Sequence, residues 1–172
     1  MLVTGAGPIG LLAAMMGVQR NHEVYVLNRA TDGPKPGLVR DLGALYLTGT
    51  IDDIIELAPD IVIECTGAPS LIADVLGHSA PSGIVCLLGI GGHHEVSFDF
   101  GQFNRTMVLN NDVVFGSVNA NRRHYELAAK SLADADGAWL ERLISRRVPL
   151  SNWQEALERR LDDIKVVIDF RL

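Results

Sequence analysis

Three glycines near the start of the chain are spaced as in loops that hold a phosphate group. Gly5, Gly7 and Gly10 form the pattern G-x-G-x-x-G in "TGAGPIG", between a strand-like run and a helix-like run. The first glycine of such a loop permits a tight turn, the second admits a pyrophosphate, and the third lets the helix pack on the sheet. The helix N–H groups and dipole then face the phosphates. The spacing predicts a dinucleotide turn, with a glycine turn that holds no ligand as the alternative.

The end of the second predicted strand, "EVYVLN", indicates which dinucleotide fits. An Asp or Glu at this point binds the adenosine ribose diol in NAD-dependent proteins. Here Asn28 and Arg29 occupy it, so no carboxylate stands there to repel a phosphate. Arg29 can form bidentate charged bonds to a 2′-phosphate, and Asn28 can donate another. The pair favours NADP, while Asp32 is close enough in sequence to keep NAD as an alternative.

Strand-like and helix-like runs alternate along most of the chain. The predicted strands are "MLVTG", "EVYVLN", "LYL", "PDIVIECTG", "GIVCLLGI" and "DVVFGSVN". Helix-like runs separate them, and "SFDFGQFNRTMVLNN" is expected to hold a further strand before its helix. Because parallel strands need crossover connections, the order predicts an α/β Rossmann fold with a doubly wound, parallel, six-stranded sheet.

The pattern changes after about residue 138. The stretch "LERLISRRVPLSNWQEALERRLDD" is amphipathic and more charged, with Ser151 and Glu155 resembling a loose helix cap, and "IKVVIDF" is predicted to be a final strand. This tail is expected to pack on the sheet or to belong to another lobe. We therefore divide the chain into a dinucleotide-binding domain, 1–137, and a C-terminal segment, 138–172.

The composition favours a globular protein with a small-molecule ligand. The chain has 172 residues, of which 48% are hydrophobic and 21% charged, and its net charge of −6 argues against nucleic acid or an anionic membrane as the main partner. Cys65 and Cys86 lie in apolar runs, which favours buried thiols in a reducing compartment, and without a C-x-x-C pair they make no structural zinc site. The apolar "LLAAMM" is too short to span a bilayer and has no basic leader, so we expect a cytoplasmic protein.

Several stretches together resemble the zinc-dependent glucose 1-dehydrogenases of the medium-chain dehydrogenase superfamily. They are "TGAGPIG", "LNR", "ECTGAP", "CLLGI", "FNRTMVLNNDVVFGSVNANRRHYELA" and "IKVVIDF". The resemblance runs over essentially the whole chain and is most specific around "NRTMVLNNDVVFGSVN". It implies NAD(P)-dependent oxidation of glucose at the anomeric carbon to gluconolactone, with hydride passing to the nicotinamide and a zinc ion polarising the sugar oxygen.

The same resemblance assigns residues to the cofactor. With Gly5 and Gly7, the residues expected under the pyrophosphate are Pro8, Ile9, Gly10 and Leu11. Asn28 and Arg29 match the pair that binds the 2′-phosphate, although Ala30 stands where a second arginine is common, so the preference for NADP is expected to be less strict. The strand ends expected to face the nicotinamide contribute Thr66, Leu88, Gly89, Ile90, Ser117, Val118 and Asn119.

Two of these assignments carry a further expectation. Asn119 is the residue expected to reach the sugar, its alternative being an asparagine that satisfies a strand-end turn. Lys165 matches a basic position that contacts cofactor phosphate in the superfamily, its alternative being a solvated lysine. Strand ends are suitable on physical grounds as well, because ligands of doubly wound sheets bind beyond the carboxyl ends of the strands.

The resemblance places the catalytic zinc and most sugar contacts in a separate domain that precedes this one. No catalytic residue and no metal ligand is therefore expected in this chain. His93, His94 and Glu95 superficially suggest a zinc motif, but adjacent side chains diverge, and a polar loop beside the cofactor is the preferred interpretation. We expect the chain to be a part of a longer enzyme, inactive alone, with a natural stand-alone module as the alternative.

Three functions follow from these observations. The first is the NADP-binding domain of a glucose 1-dehydrogenase, with a sugar as its partner and neither nucleic acid nor membrane. The second is the cofactor domain of another sugar or polyol dehydrogenase, and the third is a non-catalytic NADP-binding module. The resemblance also implies a homo-oligomer, a dimer or tetramer, in the full-length enzyme.

Overall fold

A computed structural model describes residues 1–158 and 160–172, with every side chain there except that of Ile55. The strands of the main sheet are β1 (Leu2–Thr4), β2 (Tyr25–Leu27), β3 (Leu45–Leu47), β4 (Ile61–Glu64), β5 (Ile84–Leu87) and β6 (Val113–Gly116). They lie side by side in the order β3-β2-β1-β4-β5-β6, and every neighbouring pair is parallel. The chain winds outward in both directions from β1 and β4, which form the switch point of the sheet. The six-stranded doubly wound α/β fold is confirmed.

Helices connect the strands. They are α1 (Pro8–Val18), α2 (Pro34–Asp41), α3 (Pro69–Leu76), α4 (Phe100–Asn110) and α5 (Arg122–Ala133), with a 3₁₀ helix at Asp52–Leu57. The first three begin at a proline, which fits there because the first helical N–H has no intrahelical partner.

The strand expected in "SFDF" is wrong. Residues 92–99 contain neither helix nor strand, and the carboxylate of Asp99 caps α4 by accepting a hydrogen bond of 2.8 Å from the backbone N–H of Gln102. Residues 97–100 are exposed and join neither sheet, and Phe98 and Phe100 pack near the ring of Phe103.

The tail forms its own small sheet. It contains α6 (Gly137–Glu141), β7 (Ile144–Pro149), a 3₁₀ helix (Leu150–Ala156) and β8 (Lys165–Asp169). β7 and β8 pair in parallel, so the final strand is confirmed, whereas β7 lies inside the stretch interpreted as amphipathic. The expected cap at Ser151 is wrong, because its hydroxyl donates to Asn152 Oδ1 and no side chain caps the 3₁₀ helix. Arg159, in the same stretch, lies outside the described residues.

The tail also joins the main core. The Trp139 side chain is buried in one cluster with Val3 and Leu38, and its indole N–H donates to the backbone carbonyl of Leu38 at 2.9 Å. Ile164, immediately before β8, is buried in the same cluster. The division of the chain at residues 137 and 138 stays a prediction.

Cys65, immediately after β4, and Cys86, in β5, are both free thiols. Cys86 is buried and Cys65 is half-buried. Burial raises the pKa of Cys65 to about 12, and the nearby Glu64 and Cys86 add to that rise. Both thiols are therefore protonated at neutral pH, and the reducing compartment stays a prediction. In the described part of the chain, no helix combines the length and the apolar composition that crossing a bilayer requires.

Candidate cofactor site

The glycine turn has the backbone that its spacing predicts. Gly5 adopts a φ of +92°, a conformation that side chains disfavour. A Cβ on Gly10 would overlap the carbonyl oxygen of Gly5, so α1 can pack this closely only on glycine. A Cβ on Gly7 would meet nothing within 4 Å, which means that open space lies above the turn. This space could hold a pyrophosphate against the backbone.

The start of α1 faces the turn without a side-chain cap. Gly7 is the N-cap residue, and the first intrahelical bond runs from Leu11 N to Gly7 O at 2.9 Å. With no capping side chain, the first-turn N–H groups and the positive end of the helix dipole are available to an anion. The glycine turn and the start of α1 therefore fit the phosphates of a dinucleotide. The side chain of Ile9 is half exposed beside them.

Asn28 lies immediately after β2 and makes two side-chain hydrogen bonds. Its Oδ1 accepts from the backbone N–H of Ala6, in the glycine turn, at 3.3 Å. Its Nδ2 donates to the phenol oxygen of Tyr46 at 2.9 Å, which leaves the second N–H of the amide for another acceptor. Arg29 is exposed directly beside it. The two residues expected at the 2′-phosphate thus lie together at the carboxyl end of β2.

Tyr46 is a residue of this region that the sequence reasoning missed. Its hydroxyl accepts from Asn28 and donates to the backbone carbonyl of Ala30 at 2.6 Å. The register of β2 and β3 pairs Val26 with Tyr46, which brings the phenol close to the end of β2. The polar ring in the short apolar run "LYL" was the available signal, but its partners depend on strand pairing.

Glu64, the last residue of β4, is a fully buried acid that the sequence reasoning also missed. Its Oε1 accepts from the Thr4 hydroxyl at 3.3 Å, from the Thr66 N–H at 2.6 Å, and from the Thr66 hydroxyl. The N–H of Gly67 lies 3.1 Å from Oε2 and 3.2 Å from Oε1. A lone acid in the apolar run "IVIECTG" was the signal. These hydrogen bonds to one carboxyl group hold the turn after β4 in place.

The turns after β4 and β5 are packed against each other. Gly67 has a φ of +67°, and a Cβ on Gly89 or Gly91 would overlap its backbone. The N–H groups of Leu88 and Gly89 both donate to the backbone carbonyl of Glu64, at 2.8 and 3.0 Å. The structure therefore brings the residues expected at the nicotinamide, Thr66, Leu88, Gly89 and Ile90, to one edge of the sheet.

Large apolar side chains are exposed along this edge. Ile90, after β5, is 85% exposed, and Val118, after β6, is 79% exposed. Ser117 is held beside β5 by donating its N–H to Leu87 O at 3.1 Å, and Asn119 follows as an exposed side chain. Because apolar side chains of this size gain free energy when a ring covers them, the edge could accept a planar ligand.

Lys165 is not on this edge. It is exposed at the first position of β8, in the separate two-stranded sheet. The tail does pass close to the start of α2, because a Cβ on Gly33 would sit 2.8 Å from the carboxylate of Asp162. A role of Lys165 at a cofactor phosphate stays a prediction.

The His93, His94 and Glu95 side chains are exposed in the segment that precedes α4. Within residues 1–158 and 160–172, no three His, Cys, Asp or Glu side chains are grouped so that they could hold a metal ion.

A family model described as "Glucose dehydrogenase C-terminus" matches residues 1–170. The chain belongs to this family. Its relatives include glucose 1-dehydrogenase 1 of Caldivirga maquilingensis, 42% identical over 98% of this chain and 49% of that protein. Another is glucose 1-dehydrogenase of Thermoproteus tenax, 41% identical over 97% of this chain and 49% of that protein. The chain spans about half the length of the curated relatives it matches.

Among solved structures, the chain is similar to Haloferax mediterranei glucose dehydrogenase in complex with NADP, Zn and gluconolactone. The two share 30% identity with a TM-score of 0.89, over 98% of this chain and 50% of that one. The family resemblance drawn from the motifs is therefore confirmed, and with it the dinucleotide-binding fold.

Proposed function

We propose that this chain is the NADP-binding part of a glucose 1-dehydrogenase, which oxidises D-glucose to gluconolactone by hydride transfer to NADP. The observation that carries the proposal is the uncapped start of α1 above the open space at Gly7, joined through Asn28 to the exposed Arg29. The family and the NADP named in the Haloferax complex support it.

The pyrophosphate would lie on the glycine turn. The residues proposed to hold it are Gly5, Gly7, Pro8, Ile9, Gly10 and Leu11. Pro8 has no backbone N–H, and those of Gly5 and Leu11 donate to Leu27 O and Gly7 O. The N–H groups of Gly7, Ile9 and Gly10 and the dipole of α1 would therefore neutralise part of its charge, as at other helix N-termini. The close packing of Gly10 on Gly5 supports this role, because it keeps the helix start directly above the turn.

The 2′-phosphate would be bound by Arg29, with the second N–H of Asn28 as a further donor. A guanidinium forms two parallel charged hydrogen bonds to a phosphate, which a neutral side chain cannot replace. No carboxylate occupies the first position after β2, so nothing there competes for the ribose 2′-oxygen.

The nicotinamide would lie along the edge formed by the ends of β4, β5 and β6. When bound, it supplies the hydride acceptor. The residues proposed to orient it and to exclude water are Thr66, Leu88, Gly89, Ile90, Ser117, Val118 and Asn119. Asn119 would also hydrogen-bond the sugar, and Lys165 a cofactor phosphate. We assign no catalytic residue to this chain and place the zinc ion outside these residues.

We further propose a cytoplasmic protein that acts as a homo-oligomer. β6 is one of the two edge strands of the main sheet, and its Val113 and Phe115 side chains are 49% and 46% exposed, which supports an association through this region. Sedimentation velocity measures the state directly, and a monomer at all concentrations would contradict the proposal.

A cofactor titration tests the main proposal. The chain is titrated with NADPH and with NADH, following the fluorescence of the reduced nicotinamide. We expect tighter binding of NADPH, and we expect Arg29→Ala to weaken NADPH by about 1–3 kcal/mol while changing NADH little, because only NADPH carries the phosphate.

The matched control is Arg40→Ala, which removes another exposed arginine, in the last turn of α2. It should leave both affinities unchanged. Equal losses of NADPH and NADH in Arg29→Ala would show that Arg29 does not bind the phosphate, and a chain that binds neither cofactor would overturn the proposal.

A further inference from the structure

A chain of three hydrogen bonds runs from the glycine turn to the loop that carries Arg29. Ala6 N–H donates to Asn28 Oδ1 at 3.3 Å, Asn28 Nδ2 donates to Tyr46 Oη at 2.9 Å, and Tyr46 O–H donates to Ala30 O at 2.6 Å. The last two bonds require a group that accepts and donates at one point, which a phenol provides. Tyr46 therefore connects β3 to residues on both sides of Arg29.

The backbone around Arg29 is held on each side. Before it, the Asn28 N–H donates to Leu47 O at 3.0 Å, and its side chain is tied to Ala6 and Tyr46. After it, the carbonyl of Ala30 is tied to the same phenol. Arg29 itself is exposed, so its long side chain is anchored at the backbone only.

This arrangement matters for a doubly charged ligand at the end of β2. Bidentate hydrogen bonds from a guanidinium to a phosphate need a fixed donor geometry. If the segment is ordered on folding, its conformational entropy is not lost again when a ligand binds. The glycine turn has its own constraint in the Gly5–Gly10 contact, which does not involve Tyr46. Tyr46 reaches the turn only through Asn28 and the long Ala6–Asn28 bond of 3.3 Å.

We propose that Tyr46 is a positioning residue that determines specificity for a 2′-phosphorylated dinucleotide. Its hydroxyl holds residues 28–30 so that Arg29 meets the 2′-phosphate. The inference rests on the proposed function, because it needs NADP as the ligand. Tyr46 acts through Arg29 and touches no reacting atom.

A double-mutant cycle tests this assignment. The variants are Tyr46→Phe, Arg29→Ala and the two combined, each titrated with NADPH and NADH. We expect Tyr46→Phe to weaken NADPH about five-fold, the range of one or two lost hydrogen bonds, and to change NADH less than about two-fold. In the Arg29→Ala background, Tyr46→Phe should have no further effect on NADPH, because the group it positions is absent.

The matched control is Tyr25→Phe. It makes the same chemical change in the neighbouring strand β2, at the opposite end from Asn28. It should leave the ratio of the two affinities unchanged. Thermal unfolding of each variant shows whether the fold is lost. Binding of 2′,5′-ADP compared with 5′-AMP shows whether the effect depends on the 2′-phosphate.

The outcomes distinguish the inference from the proposed function. Three results would overturn the inference alone. Tyr46→Phe could weaken NADPH and NADH equally, its effect could add to that of Arg29→Ala in the double variant, or it could leave both affinities unchanged. If the unsubstituted chain binds neither cofactor, or prefers NADH, the proposed function fails and the inference with it.

Discussion

The two ends of the main sheet differ in how their helices and strands are covered. At the β3 end, the side chains of Val26, Leu11 and Leu38 are fully buried. At the β6 end, no residue of α4 is buried, and Val108 and Leu109 on that helix are 68% and 65% exposed. The end that carries the glycine turn and Arg29 is packed by this chain itself, whereas β6 pairs with β5 and only its Val114 side chain packs against a buried cluster.

The proposed phosphate end of the site is therefore preorganised by a core. The glycine turn, Asn28 and Tyr46 are tied to strands with buried side chains, so their geometry is set before a ligand arrives. At the proposed nicotinamide end, the turns after β4 and β5 are fixed by Glu64, but the residues after β6 are exposed. The same substitution should therefore have a larger effect at the β3 end of the sheet than at the β6 end.

The largest expected difference is between two leucines. Leu11 on α1 is fully buried and Leu109 on α4 is exposed. Leu11→Ala should lower the free energy of unfolding by about 2–5 kcal/mol, because it leaves a cavity in the core. Leu109→Ala should change it by less than about 0.5 kcal/mol. Urea unfolding measures both, and equal losses would show that α4 is as well packed as α1.

A smaller difference is expected between two threonines. The Thr4 hydroxyl is buried and donates to Glu64, whereas the Thr106 hydroxyl on α4 accepts a long bond of 3.4 Å from Gln102 near the surface. Thr4→Val should cost about 1–2 kcal/mol, because the buried carboxyl group loses one of its donors. Thr106→Val should cost almost nothing. If Thr4→Val leaves the free energy of unfolding unchanged in the same experiment, the hydrogen bonds to Glu64 do not stabilise the fold.

The last expected effect appears only in acid. Arg146 donates two hydrogen bonds to Asp163, of 2.8 and 2.7 Å, and these lower the pKa of Asp163 to about 2 from its ordinary value of 3.8. Because the folded pKa is the lower one, the stabilisation is complete above about pH 4 and is lost as the pH falls toward 2. The melting temperature should therefore decline over this pH range, and Asp163→Asn should remove the part of that decline that comes from the Arg146–Asp163 pair.

The control for the acid experiment lies on the exposed helix α5. Its Arg122–Glu126 pair is 2.8 Å apart, with side chains 92% and 63% exposed. Arg122→Ala should leave the melting temperature and its dependence on pH almost unchanged, since solvent screens such pairs. A decline with acid that persists unaltered in Asp163→Asn would show that the Arg146–Asp163 pair does not contribute.

Much of the fold was predictable because the deciding features are local. The glycine spacing predicts the turn at Gly5, and the alternation of apolar runs predicts six parallel strands. β7 was missed because "ISRRVP" carries two arginines, and Arg146 becomes largely buried only by pairing with Asp163. The strand expected before α4 was wrong because Asp99 caps the helix there.

The sequence by itself determined the turn above which an anion could bind and the absence of an acid directly after β2. Both depend on residue types at fixed spacing along one segment. Only the tertiary structure decided what holds these parts in place. Asn28 and Tyr46 are 18 residues apart, and Thr4 and Glu64 are 60 apart. Such hydrogen bonds form only when strand pairing brings distant residues together, and no local pattern specifies their partners.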